Sequence, residues 1–298
     1  MAVDPNEVTA EYPLPPAAPL PVRVDLGALS HPGNVRPNNE DFYLVARSSR
    51  ALQTLLTNLP EGVVPERAEE VGYGLVVADG MGGMAAGEVA SRLAISTLLT
   101  RILNTPDWIM RTGERENQRL LQRIARRYRE VDAALHAEAQ ANPRLWGMGT
   151  TMTLAFSLGT DLFLGHVGDS RAYFCRGAEF YQLTRDHTLA QGLADAGAIR
   201  PEEVATHRLR HVLTRSLGGG EGWVEADVQR LRLGDGDQIL LCTDGLTDMV
   251  DDAAIAGVLR RAGTAAEACQ ALVEQALKQG GKDNVTAVVA RYRLAQAP

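Results

Sequence analysis

The chain is poor in cysteine. Its 298 residues include three, Cys175, Cys242 and Cys269, scattered and without a C-x-x-C pair, a usage that fits a reducing cytosol. No apolar stretch approaches the roughly 20 residues needed to cross a bilayer, so no membrane partner is expected. The N-terminus carries acidic residues and no basic-then-apolar pattern, which sets aside a secretory signal. Basic charge is not in excess: 37 acidic against 30 basic residues leave a formal net charge of -7, and nothing electrostatic calls for nucleic acid. The pattern G-x-x-x-x-G-K-[ST] is missing, and with it nucleotide chemistry of that type. No self-similarity appears at solenoid periods.

What is present is the composition of a soluble globular protein, 45% hydrophobic and 22% charged, read as one domain over residues 22–296. Met1 to Pro21 holds six prolines and few large apolar groups. Such a segment buries too little surface to offset ordering and reads as a flexible leader, with a docking segment for a partner as the alternative.

Val22 to Leu29, Phe42 to Ala46 and Gly74 to Ala78 alternate or run apolar and read as strands, then Gly87 to Leu103 turns helical. A second helix carries the apolar stripe Leu121, Ile124, Tyr128, Val131 and Leu135. Arg119, Arg123, Arg126 and Arg127 lie largely off that stripe and read as solvated, an anion-binding surface being the alternative. From Gly149 the chain returns to strands, Thr151 to Ser157, Asp161 to Val167, Arg171 to Cys175 and Phe180 to Leu183, which predicts antiparallel sheet with Asp169 in a hairpin turn. Val224 to Leu231 and Gln238 to Cys242 follow, with Asp235-Gly236-Asp237 read as a hairpin turn between them. Cys269, Leu272, Val273 and Ala276 sit at helical spacing, and Val285 to Tyr292 is a last strand. Strands interrupted by paired helices suit sheets packed together with helices outside.

Three aspartates stand in short glycine-containing motifs: Asp79 in V-V-A-D-G-M-G-G, Asp244 in I-L-L-C-T-D-G-L-T-D and Asp283 in G-G-K-D-N-V-T. Each lies next to an apolar run that reads as a buried strand, so each carboxylate sits where a rigid element gives way to a loop. Carboxylates gathered at one rim repel one another unless a hard cation neutralises them, and oxygen-only ligands select Mg²⁺ or Mn²⁺. Upstream, Arg36 precedes Glu40 and Asp41 in G-N-V-R-P-N-N-E-D-F-Y. Its planar fork matches two phosphate oxygens and points to an anionic substrate.

Arg36 with Asn39-Glu40-Asp41, then D-G-M-G-G, H-V-G-D-S-R-A-Y, T-D-G-L-T-D and K-D-N-V-T resemble, in order, the successive motifs of the metal-dependent type 2C protein serine/threonine phosphatases, bacterial branch. The resemblance runs from about Val22 to Leu294. It implies an α+β fold, a central antiparallel β-sandwich flanked by α-helices on both sides in four α-β-β-α layers. It also implies two Mn²⁺ or Mg²⁺ ions, with Asp79 bridging, the Gly80 carbonyl as a further ligand, Asp244 and Asp283 on the first ion and Glu40 on the second. Asp41 is expected beside that second ion, holding water. Arg36 orients the phosphoryl group, and a water or hydroxide between the ions attacks it directly. Asp169 is implied as ligand of a weaker third ion with Asp244, with Asp248 holding water there; a plain turn residue is the alternative. Substrates implied are phosphorylated proteins, a cognate bacterial serine/threonine kinase among them, in the cytoplasm. Residues 191–216 resemble the family's variable flap.

The chain departs from animal relatives in having Met81, which cannot donate a proton, directly after Asp79-Gly80. None of the six histidines is assigned a catalytic role from sequence. A cysteine-dependent phosphatase is excluded, because the positions six after the cysteines hold Tyr181, Asp248 and Gln275 in place of arginine. Two other classes stay open at this point: a phosphoprotein-binding module without turnover, and a hydrolase of small phosphoesters.

Overall fold

A computed structural model describes residues 22–60, 63–82, 86–104, 114–219 and 224–294. The expected leader, Met1 to Pro21, lies outside the described residues. In chain order the elements are β1 (Val22–His31), β2 (Asp41–Gln53), β3 (Arg67–Met81), α1 (Ala86–Leu103), α2 (Glu114–Ala141), β4 (Gly149–Thr150), β5 (Met152–Leu158), β6 (Asp161–Val167), β7 (Arg171–Arg176), β8 (Glu179–Gln182) and α3 (Leu189–Asp195). There follow β9 (Asp227–Arg232), β10 (Gln238–Cys242), α4 (Asp244–Thr247), α5 (Asp252–Arg261), α6 (Ala265–Lys278) and β11 (Val285–Leu294).

One sheet has the order β1-β11-β10-β7-β8, the other β2-β3-β5-β6-β9 with β4 attached to β3, and the pairings are antiparallel. Helices α1 and α2 cover the second sheet and α6 the first. The continuous apolar runs follow from this stacking, because alternate side chains of a strand point to opposite faces. In β3, Val76 and Ala78 pack under α1 and α2 while Leu75 and Val77 face the other sheet. In β11, Ala287 and Val289 meet α6 while Val288, Ala290 and Tyr292 fill the space between the sheets. Three apolar layers between four structural layers result, the α+β arrangement that the resemblance implies.

Three readings need correction. The strands at Phe42 to Ala46 and Gly74 to Ala78 are the inner parts of a longer ribbon, paired in register from Asp41↔Asp79 to Gln53↔Arg67. Its outer part is dominated by arginine, serine and glutamate with only scattered apolar residues, and so carries a weak apolar signal. Second, Asp169 is not in a hairpin: β6 pairs with β5 and β9, whereas β7 pairs with β10 and β8. The Gly168-Asp169-Ser170 turn carries the chain from one sheet to the other, with Gly168 at φ +112. Third, Asp235-Gly236-Asp237 also crosses between sheets, since β9 pairs with β6 and β10 with β7 and β11. Turn chemistry signals a reversal of direction, and long-range packing decides which strand becomes the hydrogen-bonding neighbour.

Candidate metal centre

One end of the sandwich gathers the singled-out residues. Asp79 lies near the end of β3, its N–H donating to Thr151 Oγ1 at 3.0 Å and its carbonyl accepting from Thr150 Oγ1 at 2.8 Å. Asp244 opens α4 two residues after β10, and Asp283 stands two residues before β11. Arg36, Glu40, Asp79, Gly80, Asp169, Asp244 and Asp283 all line one cavity of about 860 Å³, together with Met81, Thr151, His211, Ser216 and Asn284. Gly80 is required sterically, because a Cβ there would lie 2.1 Å from the Gly87 carbonyl oxygen.

Asp41 is the exception among the residues read from the sequence. It does not line the cavity but lies behind Asp79, 4% exposed. Its Oδ2 accepts from Thr286 Oγ1 at 2.7 Å and Thr243 Oγ1 at 2.8 Å, tying β2 to β10 and β11, while Oδ1 is buried without a partner. Burial pushes this carboxyl up to about 7 against the lowering effect of the two hydroxyls. Asp79 and Asp169 are also raised, by burial first and by neighbouring carboxylates next. Glu40 is raised by burial, against the pull of Arg36. Its backbone N–H is fixed by Asn284 Oδ1 at 2.7 Å, and Asn284 Nδ2 holds the carbonyls of Pro32 and Asn38.

Arg36 is half exposed at the rim, and its Nη2 donates to Asp283 Oδ2 at 2.7 Å. Its partner comes from the far end of the chain, not from the neighbouring Glu40 or Asp41.

The functional-looking residue that sequence reasoning passed over is His211. It stands 3.5 Å from Asp244 and 3.2 Å from Asp248, and Asp244 holds its imidazole above the ordinary value despite partial burial. Ligand atoms of Asp169, His211 and Asp244 lie within 4.8 Å of one another. Its position in the variable segment was the only signal, and no spacing linked it to Asp244. Residues 210–216 reach the cavity because Thr188 and Leu213 bridge, and Leu217 and Thr150 exchange backbone hydrogen bonds.

Five acidic side chains thus converge with one arginine and one histidine. Their repulsion, the raised carboxyls and the unpartnered Oδ1 of Asp41 fit a site built for divalent cations, and the oxygen-rich donor set suits Mn²⁺ or Mg²⁺. Cys242, two residues before Asp244, is buried in β10 with its thiol pushed up to about 12, an inert strand residue.

Residues 66–285 match the family model of Protein phosphatase 2C. The chain belongs to the protein phosphatase 2C family. It is 42% identical over 216 residues to the serine/threonine protein phosphatase PstP of Mycobacterium tuberculosis, a match spanning 72% of this chain and 40% of that protein's length. The serine/threonine phosphatase stp of Listeria innocua is 33% identical over 231 residues, 74% of this chain and 85% of that one. The crystal structure of the PstP catalytic domain in complex with two manganese ions superimposes with a TM-score of 0.71 at 36% identity, covering 92% of this chain and 100% of that one. In the chain of this protein phosphatase 2C member, no described helix is long and apolar enough to cross a membrane.

Proposed function

We propose that this chain is a metal-dependent protein phosphatase that hydrolyses phosphoserine and phosphothreonine esters in proteins. The observation that carries the reading is the convergence of Glu40, Asp79, Asp169, Asp244 and Asp283 on one cavity with a rim arginine. In this reading Asp79, the Gly80 carbonyl, Asp244, Asp283 and Glu40 hold two cations, and Asp169 with Asp244 and His211 a weaker third. When bound, Mn²⁺ or Mg²⁺ supplies positive charge against the phosphoryl oxygens and lowers the pKa of the attacking water.

The chain's own residues supply position. Arg36 grips two phosphoryl oxygens, for which it must leave Asp283, so cation binding at Asp283 and anion binding at Arg36 assist one another. Asp41 does not reach the cavity and acts from behind, fixing β2 against β10 and β11. Met81 contributes no proton, which leaves a water or His211 on the cavity wall to supply one to the departing alkoxide. The flap is read as residues 191–216, whose His211, Val212, Leu213 and Ser216 wall the cavity. A cytosolic setting is supported by the three scattered cysteines, all buried and unpaired. Activated serine/threonine kinases of the same cell are the first phosphoproteins to test.

Phosphate release from a phosphothreonine peptide with Mn²⁺, with EDTA and with Asp79→Asn decides the matter. Release that needs Mn²⁺ and Asp79 is expected; none under any condition leaves a binding module. A nitrophenyl ester with the higher specificity constant would make the chain a small-phosphoester hydrolase.

A further inference from the structure

The outer face of α2 carries a line of arginines that the catalytic reading does not use. At 3.6 residues per turn, Arg115, Arg119, Arg126 and Arg129 fall within an arc of about 80° and span roughly 21 Å along the axis. All four are exposed, whereas Asn117, Leu120, Ile124, Tyr128 and Val131 on the opposite side are buried. Among the described residues the side chains of Arg115, Arg119 and Arg129 form no ion pair or hydrogen bond, and Arg126 meets Glu130 at 3.5 Å. The arc itself contains no acidic residue; its intervening positions are Gln122 and, further on, Ala133.

Helix stability does not explain this line. Arg115 and Arg119 are like charges at i,i+4 spacing, Arg126 and Arg129 at i,i+3, and both pairs repel. Arg115 also lies in the first turn, where the helix dipole disfavours a cation. In a chain of net charge -7, a positive line of which only Arg126 has an acidic partner among the described residues attracts an anionic partner.

We propose that this face docks an acidic polypeptide segment, about six extended residues rich in Asp, Glu or phosphorylated side chains, belonging to the phosphoprotein that the catalytic cavity serves. The proposal rests on the phosphatase reading for the identity of that protein. The length follows from the 21 Å span at roughly 3.3 Å per extended residue. The position fits as well: Asp132, one turn beyond Arg129, accepts from Gly218 N–H at 2.8 Å, and the neighbouring Ser216 and Gly219 line the cavity. The C-terminal end of the arginine line is therefore level, along the α2 axis, with residues that line the cavity. An anionic membrane is disfavoured because the apolar face of α2 is buried in the core. Nucleic acid is disfavoured because the line holds no aromatic side chain for base stacking.

The test uses the full chain and its R115Q/R119Q/R126Q/R129Q variant, with R119Q/R126Q as the milder pair if the fourfold change unfolds the helix. Anisotropy of a labelled, unphosphorylated hexaglutamate peptide reads docking without catalysis. Two phosphothreonine peptides, tailed with hexaglutamate or with glycine-serine, read its effect on turnover. The unaltered protein is expected to bind the hexaglutamate probe and to show a KM about fivefold lower for the acidic tail, as several weak exposed charge contacts give. Both effects vanish in the variant and in high salt, while kcat and nitrophenyl phosphate turnover stay unchanged. Equal KM values for the two tails, or a preference that survives the variant, overturn the proposal. Displacement of the probe by an equal concentration of single-stranded oligonucleotide overturns it in favour of nucleic acid. Arginine-dependent probe binding without any phosphopeptide turnover upholds the docking face and rejects the phosphatase reading instead.

Discussion

Asp41 stands directly opposite Asp79 in the ladder of β2 and β3. Two carboxyls thus share the end of the ribbon away from its connecting loop, and only one opens on the cavity. Asp41 accepts hydrogen bonds from the hydroxyls of Thr243 and Thr286, whereas among the described residues no donor reaches the Asp79 carboxylate. Asp79→Asn is therefore expected to abolish Mn²⁺-dependent turnover and to raise the melting temperature in EDTA, since it removes a repelling charge. Mn²⁺ at a hundred times its dissociation constant stabilises the unaltered protein by about 2.7 kcal/mol per site, and the variant loses much of this. Wild-type turnover by the variant at saturating Mn²⁺ would sink a dinuclear centre.

The ion pair of Arg36 with Asp283 makes a separate prediction. Arg36→Ala is expected to lower kcat/KM by about 2 to 3 kcal/mol, the loss of one charged bidentate contact, without weakening Mn²⁺ binding. Titration calorimetry checks the second half, and a collapse of Mn²⁺ affinity would assign Arg36 to holding Asp283 in place.

Asp169 tests the weaker ion. Asp169→Ala is expected to keep two tightly bound ions but to lose the rise in rate as Mn²⁺ approaches millimolar concentrations. Equilibrium dialysis gives the ion count. An unchanged activation curve with an unchanged maximal rate would leave Asp169 as a crossing residue between the sheets.

Gly80 tests the frame. A methyl group at this position meets the Gly87 carbonyl at 2.1 Å and the Glu40 carbonyl at 2.9 Å, all backbone with no flexible tip to yield. Gly80→Ala is expected to cost about 3 kcal/mol of stability and to displace Glu40. Urea denaturation in EDTA measures the first effect, and a midpoint unchanged from the unaltered chain would show that the β3 end yields freely.

His166 predicts an acid-sensitive step. Its ring is buried between Thr153 and the Arg185 carbonyl, 4.8 Å from the His187 ring, and burial pushes it down to about 4 from an ordinary 6.5. Below pH 6.5 the unfolded chain takes up a proton that the folded chain refuses until about pH 4. Stability from this group is thus complete above 6.5 and falls with pH across that window, by about 3 kcal/mol in full. His166→Gln is expected to flatten the fall in urea denaturation run from pH 7.5 to 4.5 in EDTA; the same slope in both proteins would assign the acid loss to other groups.

The metal-ligand candidates Asp79, Asp244 and Asp283 were legible because each adjoins a short apolar run, and such a run places its flanking residue at a strand end whatever the fold. Periodicity showed buried strands, since Leu75 to Ala78 of β3, Ile239 to Cys242 of β10 and Ala287 to Ala290 of β11 are buried on both faces, while the four-layer order came from the resemblance. Local sequence could not show that Asp41 faces inward to Thr243 and Thr286, or that Arg36 meets Asp283, because those partners lie more than 200 residues away and only sheet register joins them. His211 came to Asp244 and Asp248 by the path of a loop, which no periodicity encodes. The turns at Asp169 and Asp237 reverse the chain as glycine and aspartate predict, but their strands pair in different sheets. Which strand a turn delivers to which neighbour is settled by burying apolar faces across the whole sandwich, and that is a property of the packed molecule.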